Sequence, residues 1–113
     1  MNLTQQQVEE IVAQAKRAAQ TAAERYFREQ LNSRDQMACG FASTRIYGVK
    51  GNTKLGKHLK AAGVRQSYDK SFELWNPSGL PVQNVDCLEA GARAAADVFK
   101  QHGFQAYAWS CLD

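Results

Sequence analysis

The sequence predicts an α+β fold, a long N-terminal helix followed by β-α-β-α-β, in which helices cover one face of a small mixed three-stranded sheet. Three observations lead there. Apolar residues recur at helical spacing between Val8 and Tyr26, three later stretches alternate apolar with polar residues, and caps or glycines punctuate the segments between them. With 113 residues the chain is expected to form a single domain over 1–113, residues 1–32 being the helix and 39–113 the α+β core.

Each element has its own warrant. Thr4 can cap the first helix, Gln7 completes a capping box, and Leu3 staples onto Val8. Val8, Ile11, Val12, Ala15, Ala18, Ala19, Ala22, Ala23 and Tyr26 then share one side, Glu9, Arg17, Glu24 and Arg25 take the other, and the helix is expected to reach Asn32. An alanine stripe lets another helix approach closely but buries little area per residue. A homo-oligomer through residues 4–31 is therefore expected, with packing across the chain's own sheet as the alternative. "CGFASTRIYGV", Cys39 to Val49, reads as a strand with Phe41 and Tyr47 on one face and Ala42, Thr44 and Ile46 on the other. Asn52 or Thr53 can cap a short second helix that ends at Gly63. "KSFELW" sets Ser71, Glu73 and Trp75 against Phe72 and Leu74 before "NPSGLP" breaks the strand, with Asn76 expected extended as the residue before a proline. Asp86 with Glu89 reads as the start of a third helix, with Leu88, Ala92, Ala95, Val98 and Phe99 inside and Gly103 at its end. "FQAYAWSCL" closes the order, Phe104, Ala106 and Ala108 lying opposite Tyr107 and Trp109.

Composition bounds the function. Charged residues at 22% and apolar ones at 44% suit a globular protein, and no apolar run approaches the ~18 residues of a membrane span. The start "MNLTQQQVEE" has neither the basic nor the apolar segment of a signal peptide, so a cytoplasmic protein without membrane contact is expected. Cys39, Cys87 and Cys111 fit no C-x-x-C pattern and are expected as reduced, buried thiols. Together with His58 and His102 they match no ligand spacing, so neither a metal nor a cofactor is expected.

The stretch "GVKGNTKLGKHLKAAG", Gly48 to Gly63, carries Gly51, Gly56 and Lys57 at the spacing of a phosphate-binding loop. Such a loop needs Ser or Thr after its lysine to hold magnesium, and His58 stands there instead. Nucleotide hydrolysis is not expected. Read as a helix, the same segment gathers Lys54, Lys57 and Lys60 on one third of its circumference, opposite Leu55, Leu59 and Ala62. Six basic residues and no acidic one lie between Arg45 and Arg65, while the whole chain carries only +3, so the rest of the chain is net acidic. The helix start also offers free amides and a positive dipole end to an anion. Arg45, Lys50, Asn52, Thr53, Lys54, Lys57, Lys60 and Arg65 are thus the expected phosphate- or partner-binding residues, and no residue is assigned a catalytic role. Tyr68, Trp75 and Trp109 can stack on bases beside them, or lie in the core. A lysine face kept for solubility is the plainer alternative.

The segments "GFA", "IYGVKGNTKLGK", "WNPSG", "EAGARAAADVF", "GFQAYA" and "SCLD" span Cys39 to Asp113. In these the chain resembles small uncharacterised proteins encoded in phage and prophage genomes. The resemblance implies action in the host cytoplasm and an anti-defence or host-takeover role, antagonising host defence or host transcription by binding. Combined with the basic surface, it gives the expectation of a non-enzymatic protein that engages nucleic acid, a nucleotide or an acidic groove of a host protein. It would act as an anti-CRISPR-like block of a nucleic-acid groove or by sequestering a signalling nucleotide. The alternative is a small enzyme acting on nucleotides or phosphate esters.

Overall fold

The computed structural model describes residues Met1–Asp113. It orders the elements as α1 (Gln5–Glu29), β1 (Gly40–Tyr47), α2 (Lys54–Ala61), β2 (Arg65–Gln66), β3 (Phe72–Trp75), α3 (Val85–Gln101) and β4 (Gln105–Leu112). The α+β class and the helix-first order are as the sequence predicts. The sheet differs. It has four strands in the order β2-β3-β1-β4, and every adjacent pair is antiparallel. The added strand, β2, is two residues long, too short to show any periodicity. It has a large effect on topology. Without it, β1-α2-β3 would read as a crossover with parallel strands; with it, the chain reverses once more and β3 returns antiparallel between β2 and β1. From β1 onward the order is therefore β-α-β-β-α-β, the split β-α-β or ferredoxin-like connectivity.

All three helices lie on the same side of this sheet. Val8, Ile11 and Val12 of α1, Leu59 of α2 and Ala95, Val98 and Phe99 of α3 share one core with Ile46, Phe72, Leu74 and Ala106 of the strands. Phe99 meets Phe104 edge to face at 5.6 Å between ring centroids. The alanine stripe of α1 is consumed within the chain: Ala15, Ala19 and Ala23 are fully buried, and α1 packs most extensively on α3. Gly91 is what lets the two helices approach, since a Cβ there would lie 3.2 Å from the Ala19 carbonyl oxygen and 3.5 Å from the Ala23 Cβ. The helix partner that the stripe calls for is therefore α3, which removes the reason to expect self-association through residues 4–31.

Helix ends follow local chemistry. The Thr4 hydroxyl accepts from the Gln7 N–H, and the Gln7 side chain accepts from the Thr4 N–H, giving the expected capping box. Thr53 caps α2, and Gly63 follows its end with φ +93°. For α3 the cap is Asn84, two residues before the expected Asp86. Asn84 wins because tertiary bonds fix it: its Oδ1 accepts from the Cys87 N–H, its Nδ2 donates to Gln36 O, and its own N–H reaches the Asp35 carboxylate. Glu89 is drawn elsewhere, to Ser110 and Arg93. Asn76 is not extended but has φ +40°; its N–H donates to Ala42 O, its carbonyl accepts from Gly79, and its side chain binds Leu80 O and Ser78. Of the cysteines only Cys87 is buried, with its thiol on the Ala23 carbonyl; Cys39 and Cys111 are exposed. No helix is long and apolar enough to cross a membrane.

Candidate functional site

Strand alternation sends every second side chain to the face that the helices leave bare. On β1 these are Phe41, Ser43, Arg45 and Tyr47; on β3, Glu73 and Trp75; on β4, Gln105, Tyr107, Trp109 and Cys111. The register sets them in rows roughly 7 Å apart. Phe41 stands beside Cys111, Ser43 lies between Trp75 and Trp109, Arg45 between Glu73 and Tyr107, and Tyr47 beside Gln105. Arg65 of β2 extends the Arg45 row past Glu73. Four of the rings, Phe41, Tyr47, Trp75 and Tyr107, are between 38% and 55% exposed, on a surface with no cover.

The rings and charges hold one another in place. Phe41 and Trp75 lie 5.7 Å apart between centroids, and Tyr47 and Tyr107 5.9 Å. The Arg45 guanidinium sits 4.5 Å above the Trp109 ring, and the Lys100 ammonium comes round the sheet edge to 5.4 Å from the Tyr107 ring. Glu73 is buried at the centre. Arg65 donates to its Oε1 from Nε at 3.1 Å and Nη2 at 2.7 Å, while Ser43 Oγ and Arg45 Nη2 donate to Oε2 at 3.0 and 3.5 Å. Burial by itself would raise the Glu73 carboxyl. The hydrogen bonds from Arg65 and Ser43 and the charges of both arginines outweigh it and hold the group below its ordinary value. One carboxylate thus neutralises half the charge of two guanidinium groups, leaving the row net positive. The Arg45 Nε–H is buried with no acceptor.

At the Tyr47 end of the sheet lies a second feature. A recess of about 630 Å³ opens there, bordered by Lys50 and Asn52 after β1, Lys60 of α2, Gln66 of β2 and Lys70 of the β2–β3 turn. No acidic residue lines it. Lys60 Nζ donates to the Gly51 carbonyl at 3.2 Å.

The glycines of the phosphate-loop-like stretch now have a different explanation. A Cβ on Gly51 would collide with the Gln66 side chain, and one on Gly56 would overlap the Lys50 carbonyl oxygen. Both are close-packing glycines. Thr53 Oγ1 accepts from the Gly56 N–H and donates to Lys50 O, so the loop closes on itself. His58 is tied to α1, its Nδ1 2.7 Å from Gln5 Oε1 while Gln5 Nε2 donates to the His58 carbonyl.

The structure divides the residues singled out from the sequence. Arg45 and Arg65 lie on the sheet face with Trp75 and Trp109; Lys50, Asn52 and Lys60 border the recess; Thr53 is a cap. Lys54 and Lys57 point to solvent from α2, apart from both features, and Tyr68 is fully exposed in the β2–β3 turn. Sequence reasoning missed Phe41, Tyr47 and Tyr107 as site residues, and Gln66 and Lys70 at the recess. The first three were within reach. Their strands alternate them against Ala42, Ile46 and Ala106, and helices confined to one side must leave that aromatic side open. Gln66 and Lys70 depend on the two-residue β2, which carries no sequence signal. No three His, Cys, Asp or Glu side chains gather as a metal site.

No protein-family model matches this chain, and no curated protein or solved structure matches it either. Its function is read from the site.

Proposed function

We propose that the protein is a binding module for single-stranded nucleic acid, with bases stacking on the open sheet face. The observation that carries this reading is the set of exposed rings, Phe41, Tyr47, Trp75 and Tyr107, arranged around Trp109 and its stacked Arg45 on the helix-free face of an antiparallel sheet. Every base has a π-face, so such a platform suits strands of mixed sequence, and open sheets with aromatic faces are a recurring means of holding them. Arg45 and Arg65 supply positive charge between the rings, and the Lys50, Lys60 and Lys70 recess supplies more at the end of the track. An extended row of rings fits several linked nucleotides better than one free nucleotide. The polarity also favours a strand over a protein groove that binds strands: plugging such a groove calls for acidic mimicry of phosphates, whereas this face presents guanidinium groups and rings.

The test is titration of short single-stranded DNA and RNA, with duplex as control, followed by tryptophan fluorescence and anisotropy. Single strands should quench the tryptophans and bind with an affinity that falls as salt rises. Trp75→Ala and Trp109→Ala should each weaken binding about tenfold, the value of one lost base stack. Absence of binding at low salt would overturn the proposal. A concentration-dependent dimer that Trp75→Ala or Tyr107→Ala dissociates would assign the face to self-association instead.

A further inference from the structure

The lysine recess asks for a more specific occupant than the sheet face does. Lys50, Lys60 and Lys70 come from three separate segments, the exit of β1, helix α2 and the β2–β3 turn, and meet around one concavity. A solvated lysine face needs no such convergence, because lysines on one helix keep a surface polar without being brought together. All the ion pairs of the molecule involve arginine, so none of these lysines is neutralised by a carboxylate. The acid nearest in sequence, Asp69, is engaged by the hydroxyls of Ser67 and Ser71 and the Ser71 N–H. Asn52 and Gln66 add neutral hydrogen-bonding groups to the same lining. Three like charges in one hollow repel one another, and a multivalent anion relieves that repulsion.

The recess is also continuous with the aromatic track. A neighbouring hollow of about 420 Å³ is lined by Tyr47, Thr53 and Gln105 and shares Val49 and Lys50 with it. Tyr47 is the last ring of β1 on the open face and packs on Tyr107. A strand lying along the rings towards Tyr47 therefore brings its end to Lys50. An internal phosphodiester carries one negative charge, whereas a terminal phosphate monoester carries close to two at neutral pH and has three free oxygens for donors. The monoester therefore offsets more of the positive charge of the three lysines, and offers them more acceptor oxygens, than an internal phosphodiester does.

We infer that the recess bordered by Lys50, Lys60 and Lys70 binds the terminal phosphate monoester of a strand whose bases lie on the sheet face, so that the protein recognises phosphorylated strand ends. This rests on the stacking role proposed above for the sheet. The 5′ and 3′ ends share the same chemistry, and the experiment separates them.

The experiment uses the full chain and one oligonucleotide sequence of about ten nucleotides, within the usual span of single-strand sites, in three forms: 5′-phosphate, 3′-phosphate, and hydroxyl at both ends. One phosphorylated form should bind about tenfold more tightly than the hydroxyl form, the gain expected from new charge-assisted hydrogen bonds. The combined variant Lys50→Ala, Lys60→Ala, Lys70→Ala should weaken the preferred phosphorylated form about tenfold more than the hydroxyl form, so that the preference disappears. Equal affinity of wild type for all three forms overturns the inference. So does a combined variant that weakens all three forms by the same factor, because the lysines would then be acting as general charge. The failure of the sheet reading looks different. If the preference for a phosphorylated end persists and Trp75→Ala with Trp109→Ala changes nothing, the stacking role falls while the phosphate site stands; if no form binds, both fall.

Discussion

The two faces of the one four-stranded sheet use opposite means to stay ordered. On the helix side, small and branched residues such as Ala42, Ile46, Leu74 and Ala106 are excluded from water by α1, α2 and α3. On the other side, larger rings stand uncovered and are kept in place by pairwise ring contacts, by the Arg45 and Lys100 cations over Trp109 and Tyr107, and by the Arg45–Glu73–Arg65 cluster. A solvated sheet face ordinarily alternates to polar residues. The difference teaches that one surface of these strands supplies the packed core, and that the binding role proposed above would use the other, where the rings contribute less to folding.

Substitutions can break or sharpen that contrast. The largest effect is expected from removing residues 1–32, which takes Val8, Ile11 and Val12 out of the core. The remaining chain should lose its cooperative thermal transition by circular dichroism, and a shortened protein that still melts cooperatively would mean that α1 is an accessory. Next, Phe72→Ala on the helix side should cost about 4 kcal/mol in denaturant unfolding, as a cavity in a packed core does. Glu73→Gln on the open side should cost about 2 kcal/mol near neutral pH, through loss of charge-assisted hydrogen bonds. Because the folded Glu73 carboxyl is held below its ordinary value of 4.5, its pairing stabilises the fold above that pH and ceases to do so as pH falls through the depressed value. Stability of the Gln variant should therefore fall less steeply in acid than that of wild type, and parallel pH profiles would refute the assignment. Trp75→Ala should cost only about 1 kcal/mol, the worth of its ring pair with Phe41, while impairing binding. A loss as large as that of Phe72→Ala would place Trp75 in the structural core and undo the contrast. The smallest effects belong to Lys54→Glu and Lys57→Glu, which should leave stability unchanged and weaken strand binding less than Lys60→Glu at the same salt concentration.

Much of this arrangement was legible from local pattern. Period-two alternation places Phe41 and Tyr47 opposite Ala42, Thr44 and Ile46, Glu73 and Trp75 opposite Phe72 and Leu74, and Tyr107 and Trp109 opposite Ala106 and Ala108, as the register has them, and the capping box at Thr4 and the glycine end at Gly63 follow from side-chain chemistry that acts within one turn. What was not legible depends on distant parts of the chain. Asn84 outcompetes Asp86 as a cap only because Asp35 and Gln36 reach it, and Asn76 leaves the extended conformation because Ala42 and Leu80 hold its turn. The candidate site shows the same limit. Trp75 and Trp109 could be named as stacking residues, but the row joining them through Ser43 is a property of register. The lysines read as one helix face are divided in space by β2, whose two residues leave Lys60 at the recess and Lys54 and Lys57 away from it.

The pairing of β1 with β4, from Tyr47 with Gln105 to Gly40 with Leu112, joins the centre of the sheet to a strand that the ribosome supplies only after α2, β2, β3 and α3 have been made. Until then one edge of β1, with its amides and carbonyls, has no partner, and the underside of α3 lacks Ala106. Such non-local closure slows folding and prolongs the exposure of a sticky edge. Nascent chains stalled before Gln105 should therefore bind chaperones, and a bulky fusion placed directly after Leu112 should lower soluble yield more than the same fusion placed before Thr4.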